Sequence, residues 1–244
     1  MSTQSPPPDD DSPPGTSSPA IRPSRVPESR PGAAGGTRDL NRQRRTDQLS
    51  QAALTLFLER SIDAVTIDDI TRSAGVAKGS FYRYFDSREA LVRSLMAPIA
   101  DATLTTLDAC TRALRDARDR EAVTAAFTTL TLTLAGQLLE QRDLVRLYLQ
   151  ESRGPAWGDR RAVAELSEAV SARAIEITLA ARSHGMLRDV PPPVSALAVV
   201  GAAERLLHAW LTDSLAVPPV EAALAVVDLV LHGVLPRADP DPAP

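Results

Sequence analysis

Cysteine occurs once in this 244-residue chain, histidine three times, and aromatic side chains make up only 4% of it. A single cysteine excludes an internal disulfide framework and any cysteine-rich zinc or iron–sulfur site. No uninterrupted run of about 18 apolar residues occurs, so no membrane span is expected. No apolar stretch follows Met1, so a secretory leader is not expected either, and a cytoplasmic location is. Walker loop, dinucleotide glycine fingerprint, His-Glu-x-x-His pair and nucleophile elbow are all missing. Cys110 has no histidine near it in sequence, and the histidines fall on three separate late segments. Catalytic residues, metal ligands and cofactors are therefore not expected.

Lysine is nearly absent as well. Of the 27 basic side chains only Lys78 is lysine. Charge is also unevenly spread. Residues 1–40 carry four Arg against five acids, and residues 98–244 carry fourteen Arg against nineteen acids. Residues 41–97 carry nine basic groups against seven acids, the only positive block in a chain of net charge -4. Local charge of this kind is what meets a polyanion, whatever the overall balance.

Nine of the 20 prolines lie between Pro6 and Pro31, among Ser, Asp and Gly. Such a stretch cannot bury enough apolar surface to offset ordering entropy, so residues 1–40 are expected to be a disordered tail. From Asn41 the pattern is helical. Leu49, Ala52, Ala53, Leu56 and Phe57 recur at the i, i+3, i+4 spacing of one apolar helix face. Asp86-Ser87-Arg88-Glu89 reads as a capping box, and Pro98 is expected to kink or end the helix it opens. Further helices are predicted near Glu121–Glu140 and Asp143–Glu151, then from Trp157 to Ser183, near 194–213 and near 219–235, with Pro236 as a stop. Gly185 suits a left-handed C-terminal cap. The predicted class is all-α with about nine helices. The predicted organisation is a DNA-binding head at 41–96, a ligand-binding and dimerisation domain at 97–235, and a disordered end at 236–244.

The densest signal lies between residues 66 and 85. Thr66 with Asp69 three residues on reads as an N-cap and its reciprocal acid. Ile67, Ile70 and Ala74 give a short apolar face, and Gly75 stands where the chain must reverse. A second short helix is predicted over Lys78–Phe85, with Phe81 and Phe85 one turn apart and directed inward. That leaves Gly79, Ser80, Tyr82 and Arg83 outward, flanked by Lys78 and Tyr84. This is a helix-turn-helix whose free face offers a cation, hydroxyls, aromatic rings and a glycine. Phosphate oxygens accept from such groups, and the Thr66 hydroxyl and backbone N–H are candidates to join them. Arg42, Arg44 and Arg45, at the start of the first helix, are placed to reach adjacent backbone. The competing reading is a helical hairpin with a merely solvated face.

The stretch Ala64-Val-Thr-Ile-Asp-Asp-Ile, followed by Ala74-Gly-Val-Ala-Lys-Gly-Ser-Phe-Tyr-Arg-Tyr-Phe85, resembles the DNA-binding domain of the TetR family of bacterial transcriptional repressors. The resemblance covers about residues 44–95. It implies a three-helix head, a larger helical C-terminal domain with a small-molecule pocket, and homodimerisation through the last two helices. By position, Thr66, Ala77, Lys78, Gly79, Ser80, Tyr82 and Tyr84 match that family's DNA-contacting positions. Arg83 falls within the recognition helix, and Arg88 matches a position that is usually basic.

Composition gives separate support for self-association. In 222–235 the only strongly polar residues are Asp228 and His232, and a helix apolar nearly all round must be buried on more than one face. A two-fold interface from the helices near 194–213 and 219–235 is predicted. Candidate contacts for an unidentified effector are Tyr148, Glu151, Trp157, His184 and Trp210. The excess of acids in this half favours a neutral or cationic effector. The predicted partners are thus a double-stranded DNA operator, a small molecule and a second copy of the chain. The alternative is a helical ligand-binding or interaction module that does not touch DNA.

Overall fold

The structure, a computed structural model, describes residues 36–185 and 190–232. The proline-rich stretch up to residue 35, the expected disordered end at 236–244 and the expected stop at Pro236 lie outside the described residues. Among those described there are nine α-helices and no strand. The first, α1 (Thr37–Arg60), takes in the last four residues of the expected tail. It buries Leu49, Ala53, Leu56 and Phe57, the face the sequence spacing marks out.

Then come α2 (Ile67–Ser73) and α3 (Lys78–Phe81), and α4 (Arg88–Asp116) leads away from them. Ser87 caps α4 by accepting from the Ala90 N–H at 3.0 Å. Only half of the expected capping box exists here. The third residue of the helix is Ala90, which has no carboxylate to reach back.

Of the two outcomes expected at Pro98, an end is not what occurs: the 29-residue α4 runs through it. Pro98 lies on the exposed side. There the carbonyl left without its usual donor, that of Ser94, faces water rather than the core.

The remaining helices are α5 (Arg120–Glu140), α6 (Arg142–Glu151), α7 (Arg161–Arg182), α8 (Pro192–Leu211) and α9 (Pro219–His232). The long helix expected from about Trp157 to Ser183 is α7, which starts at Arg161 after a single 3₁₀ turn, Gly158–Arg160. Gly158 with φ +61° breaks the continuity. α4 is the spine, packed against α5 and α7; α8 lies on α7, and α9 on α5 and α8.

The apolar core does not divide at residue 96. One cluster runs from Leu49, Phe57, Ile70 and Phe81 through Leu91 and Ile99 to Val145, Leu147, Val163 and Leu166. A second joins Leu107, Cys110, Leu114, Val123, Ile177 and Ala181 across α4, α5 and α7. The helix-turn-helix therefore shares its interior with α6 and α7.

Two helices, α5 and α8, are long and apolar enough to cross a membrane by length and composition, which the search for unbroken apolar runs missed. Their apolar stretches are interrupted by Thr, Gly and Gln in α5 and by Ser, Gly and the Glu204-Arg205 pair in α8. Both touch other helices, α5 on α4 and α9, α8 on α7, yet little of either apolar stretch is buried in the single chain.

Candidate nucleic-acid interface

α2 is seven residues long and owes its start to side chains. The Thr66 hydroxyl oxygen accepts from the Asp69 N–H at 3.2 Å, and the Asp69 carboxylate accepts from the Thr66 N–H at 3.0 Å and its hydroxyl at 2.7 Å. These bonds from Thr66 hold the Asp69 carboxyl below its ordinary pKa. The turn follows at Gly75, whose φ of +66° is cheap only for glycine; a Cβ there would meet nothing within 4 Å, so the constraint is backbone conformation and not space. The Val76 N–H closes the turn on the Thr71 carbonyl at 2.9 Å.

The second helix is shorter than the expected Lys78–Phe85. It ends at Phe81, and the Arg83 and Tyr84 N–H groups bond three residues back, to Ser80 and Phe81. Such 3₁₀-type bonds tighten the chain beyond a short helix. Inward and outward positions survive the shortening. Phe81 and Phe85 are buried, with ring centroids 5.7 Å apart. Ala77, Lys78, Gly79, Tyr82 and Arg83 are exposed, and Ser80 and Tyr84 are half-buried. Tyr82 is 57% exposed and lies edge-on to Phe81 at 5.5 Å, so a buried ring sets the aim of an exposed phenol. Tyr84 packs against the main core cluster.

Lys78 has a partner that the sequence did not suggest. Its Nζ lies 2.8 Å from Asp68 on α2, and the Asp68 hydrogen bond raises the lysine pKa. Both side chains are largely solvated, so water and salt compete for the pair. Asp68 stands ten residues before Lys78, a separation without periodic meaning, and only the fold of the turn brings them together.

Two expected phosphate contacts are otherwise engaged. The Thr66 N–H and hydroxyl both donate to Asp69, so they close the cap instead of lying free for a phosphate. Arg88 is drawn inward: its guanidinium donates to the Val65 carbonyl and pairs with Asp159. That places it between the helix-turn-helix and the rest of the chain, not on the exposed face. Arg44 and Arg45 are exposed on the projecting first turns of α1, with Arg45 donating to Gln48 at 3.0 Å.

The five effector candidates do not gather around one space. The buried Tyr148 donates to Glu204 at 2.8 Å, and burial pushes its phenol up from the ordinary value. Glu204 also faces Arg153 at 3.4 Å. Glu151 is buried and bound to Arg160 at 2.5 Å. Trp157 is 75% exposed. The His184 ring lies 2.7 Å from the Leu114 carbonyl, and Trp210 carries the Arg142 guanidinium 4.4 Å above its ring. Hollows of about 540 Å³ at the α5–α6 corner and about 640 Å³ along α5 are lined by other residues, Arg142 and Leu211 in one, Thr124 and Thr128 in the other. Cys110 is buried and its thiol is pushed up to about 11, which leaves little thiolate at neutral pH.

Comparison with known proteins gives the same location. The family model for bacterial regulatory proteins of the tetR family matches residues 49–95. An uncharacterized HTH-type transcriptional regulator of Mycobacterium tuberculosis is 32% identical over 114 residues, 41% of this chain and 56% of that one. The HTH-type transcriptional repressor KstR2 of Rhodococcus jostii is 45% identical over 58 residues, 24% of this chain and 28% of that one. The chain thus spans about half, and about a quarter, of the lengths of these relatives. Among solved structures, the TetR-family repressor FadR of Thermus thermophilus, in complex with lauroyl-CoA, aligns with a TM-score of 0.54 at 22% identity, over 82% of this chain and 100% of that one. That likeness concerns the fold.

Proposed function

We propose that the chain, whose residues 49–95 match the model for bacterial regulatory proteins of the tetR family, is a ligand-responsive transcriptional regulator of that family, a repressor that binds a palindromic operator as a homodimer. The observation that carries this reading is the exposed face of α3. Lys78, Gly79, Tyr82 and Arg83 are open to solvent while Phe81 and Phe85 anchor the same segment from behind. A face of cation, hydroxyl and ring on a short helix fits a major groove, with Lys78 and the tyrosines on phosphates and Arg83 nearest the base edges.

The dimer is supported by what the last two helices leave uncovered. Val194 and Leu197 on α8, and Val220, Leu224 and Leu229 on α9, are exposed in the single chain. An apolar surface of this kind marks an association site. Two copies joined there present two α3 segments to half-sites about one helical turn apart. A head at 41–96 and a body at 97–235 then divide the work, in the cytoplasm, between operator and effector. The complex of the Thermus relative with lauroyl-CoA supports a small-molecule effector for this body without naming the compound. An effector releases DNA only through a difference in its affinity for the two arrangements of the heads.

The test is selection of duplexes from a random pool by the full chain, followed by mobility shift. A two-fold symmetric sequence bound by two chains is the expected result. No enrichment over random duplex at moderate salt would refute the reading.

A further inference from the structure

The loop joining α1 to α2, residues 61–66, is held from outside the helix-turn-helix. Glu151, the last residue of α6, is 3% exposed, and one of its oxygens accepts from the Ile62 N–H at 3.2 Å. Its neighbour Gln150 donates to the Phe57 carbonyl at 2.9 Å. The other Glu151 oxygen takes the Arg160 Nε at 2.5 Å, and Arg160 also binds Asp63 within the loop. One residue earlier, Asp159 pairs with Arg88, which in turn donates to the Val65 carbonyl. The chain folds tightly over this group: a Cβ at Gly154 would lie 3.1 Å from Arg160.

The adjacent residues of the 3₁₀ turn therefore carry opposite charges into the head, Asp159 toward Arg88 and Arg160 toward Asp63. A slip by one residue in one direction would set Asp159 against Asp63, and in the other direction Arg160 against Arg88. Like charges at such range are strongly unfavourable when partly desolvated. The apolar core shared with α6 and α7 is non-directional and tolerates small slides. The charged pairs do not, because the buried Glu151 carboxylate loses its guanidinium partner if Arg160 moves away.

We propose that Asp159, Arg160 and Glu151 are positioning residues, a charge-keyed clasp that fixes the angle of the head on the body and thereby sets which half-site spacing the dimer accepts. This rests on the dimeric DNA-binding reading above. α4 is the covalent connection between head and body, and the clasp is a second attachment that removes the twist and bend a single helix leaves open. The residues act through the head and touch no DNA themselves. They lie on the body side of the α1–α2 loop, away from Lys78 and Tyr82.

The experiment uses the full chain and duplexes selected with it, with the central spacer then shortened or lengthened by one and two base pairs. Each base pair shifts the half-sites by about 3.4 Å and about 34°. The wild-type chain is expected to lose roughly tenfold or more in affinity per base pair of misfit. Asp159→Asn, at a partly solvated position that tolerates the change, is expected to flatten that penalty to about threefold. Glu151→Gln combined with Asp159→Asn flattens it further. The dependence of binding on salt, set by phosphate contacts, stays unchanged in both. An unaltered spacing profile in folded Asp159→Asn would overturn the proposal. So would a uniform loss of affinity at every spacing, which marks a merely structural role. If the wild-type chain selects no two-fold sequence, the dimeric reading and the clasp fall together. A sharp wild-type spacing optimum that the variants keep removes the clasp alone.

Discussion

The helix-turn-helix and the last two helices solve opposite problems. α2 and α3 are short, yet every large apolar side chain the segment needs is covered: Ile70 and Phe81 are fully buried and Phe85 nearly so. α8 and α9 are long, yet among their described residues only Ala196 and Val227 are buried. Short helices are marginal alone and owe their existence to packing and caps. Apolar helices owe their stability to packing too, and these two find only part of it within the chain. The head is thus covered within one chain, whereas α8 and α9 leave apolar side chains such as Leu197 and Leu224 open to solvent.

The most severe way to test that contrast is Phe81→Ala. Removing a fully buried ring should cost about 3–5 kcal/mol. Denaturant unfolding would read it, and DNA binding should disappear with it. A loss under about 1 kcal/mol would mean the head is not packed as described. On the other side of the comparison, Leu224→Glu should leave helix content intact and weaken self-association by roughly 100-fold or more, since a two-fold interface meets each change twice. Sedimentation would show monomer where the wild-type chain is dimeric.

Lys78→Ala should lower affinity on all sequences and reduce the salt slope by about 1, with dimerisation unaltered. A smaller effect of opposite sign is expected for Asp68→Asn, which frees Lys78 from its internal carboxylate. Affinity should rise by about threefold and the salt slope should steepen, because Lys78 then carries a counterion to release. Equal titrations of the two proteins would show that the pair has no bearing on binding.

The smallest effect is on pH. The Asp69 carboxyl titrates lower in the folded chain than its ordinary 3.8. Its contribution is therefore present above that value and fades as pH falls through the lower folded one. Asp69→Asn should remove that part of the acid sensitivity of the head, seen as a flatter dependence of melting temperature on pH below 4.

Much of the head was legible because its signals are local. The cap at Thr66, the glycine at the turn and the one-turn spacing of Phe81 and Phe85 each act within a few residues. Partners without periodic spacing were not legible. Arg88 read as a DNA contact and Glu151 as an effector contact, and nothing in the sequence pointed to Asp159, 71 residues from Arg88, or to the Ile62 N–H, 89 residues from Glu151. Asp159 and Arg160 passed unremarked for the same reason. Pro98 left a kink and an end both open. The cost of proline in a helix depends on which side it faces, and periodicity did not weigh an exposed proline against the many buried residues of α4 that keep the helix from ending there. The helix over 157–183 was drawn too long because Gly158 was not recognised as a left-handed break.

The uninterrupted course of α4 has a mechanical corollary. With 29 residues it measures about 43 Å end to end. Swinging it by about 5° around its far end carries the near end through an arc of about 4 Å, slightly more than the ~3.4 Å between successive nucleotides of a strand. Angular play that would be harmless in a shorter rod is here enough to misalign a groove. The buried anchors spaced from Leu91 and Ile99 to Leu107 and Leu114 are the bearings that keep such a lever true.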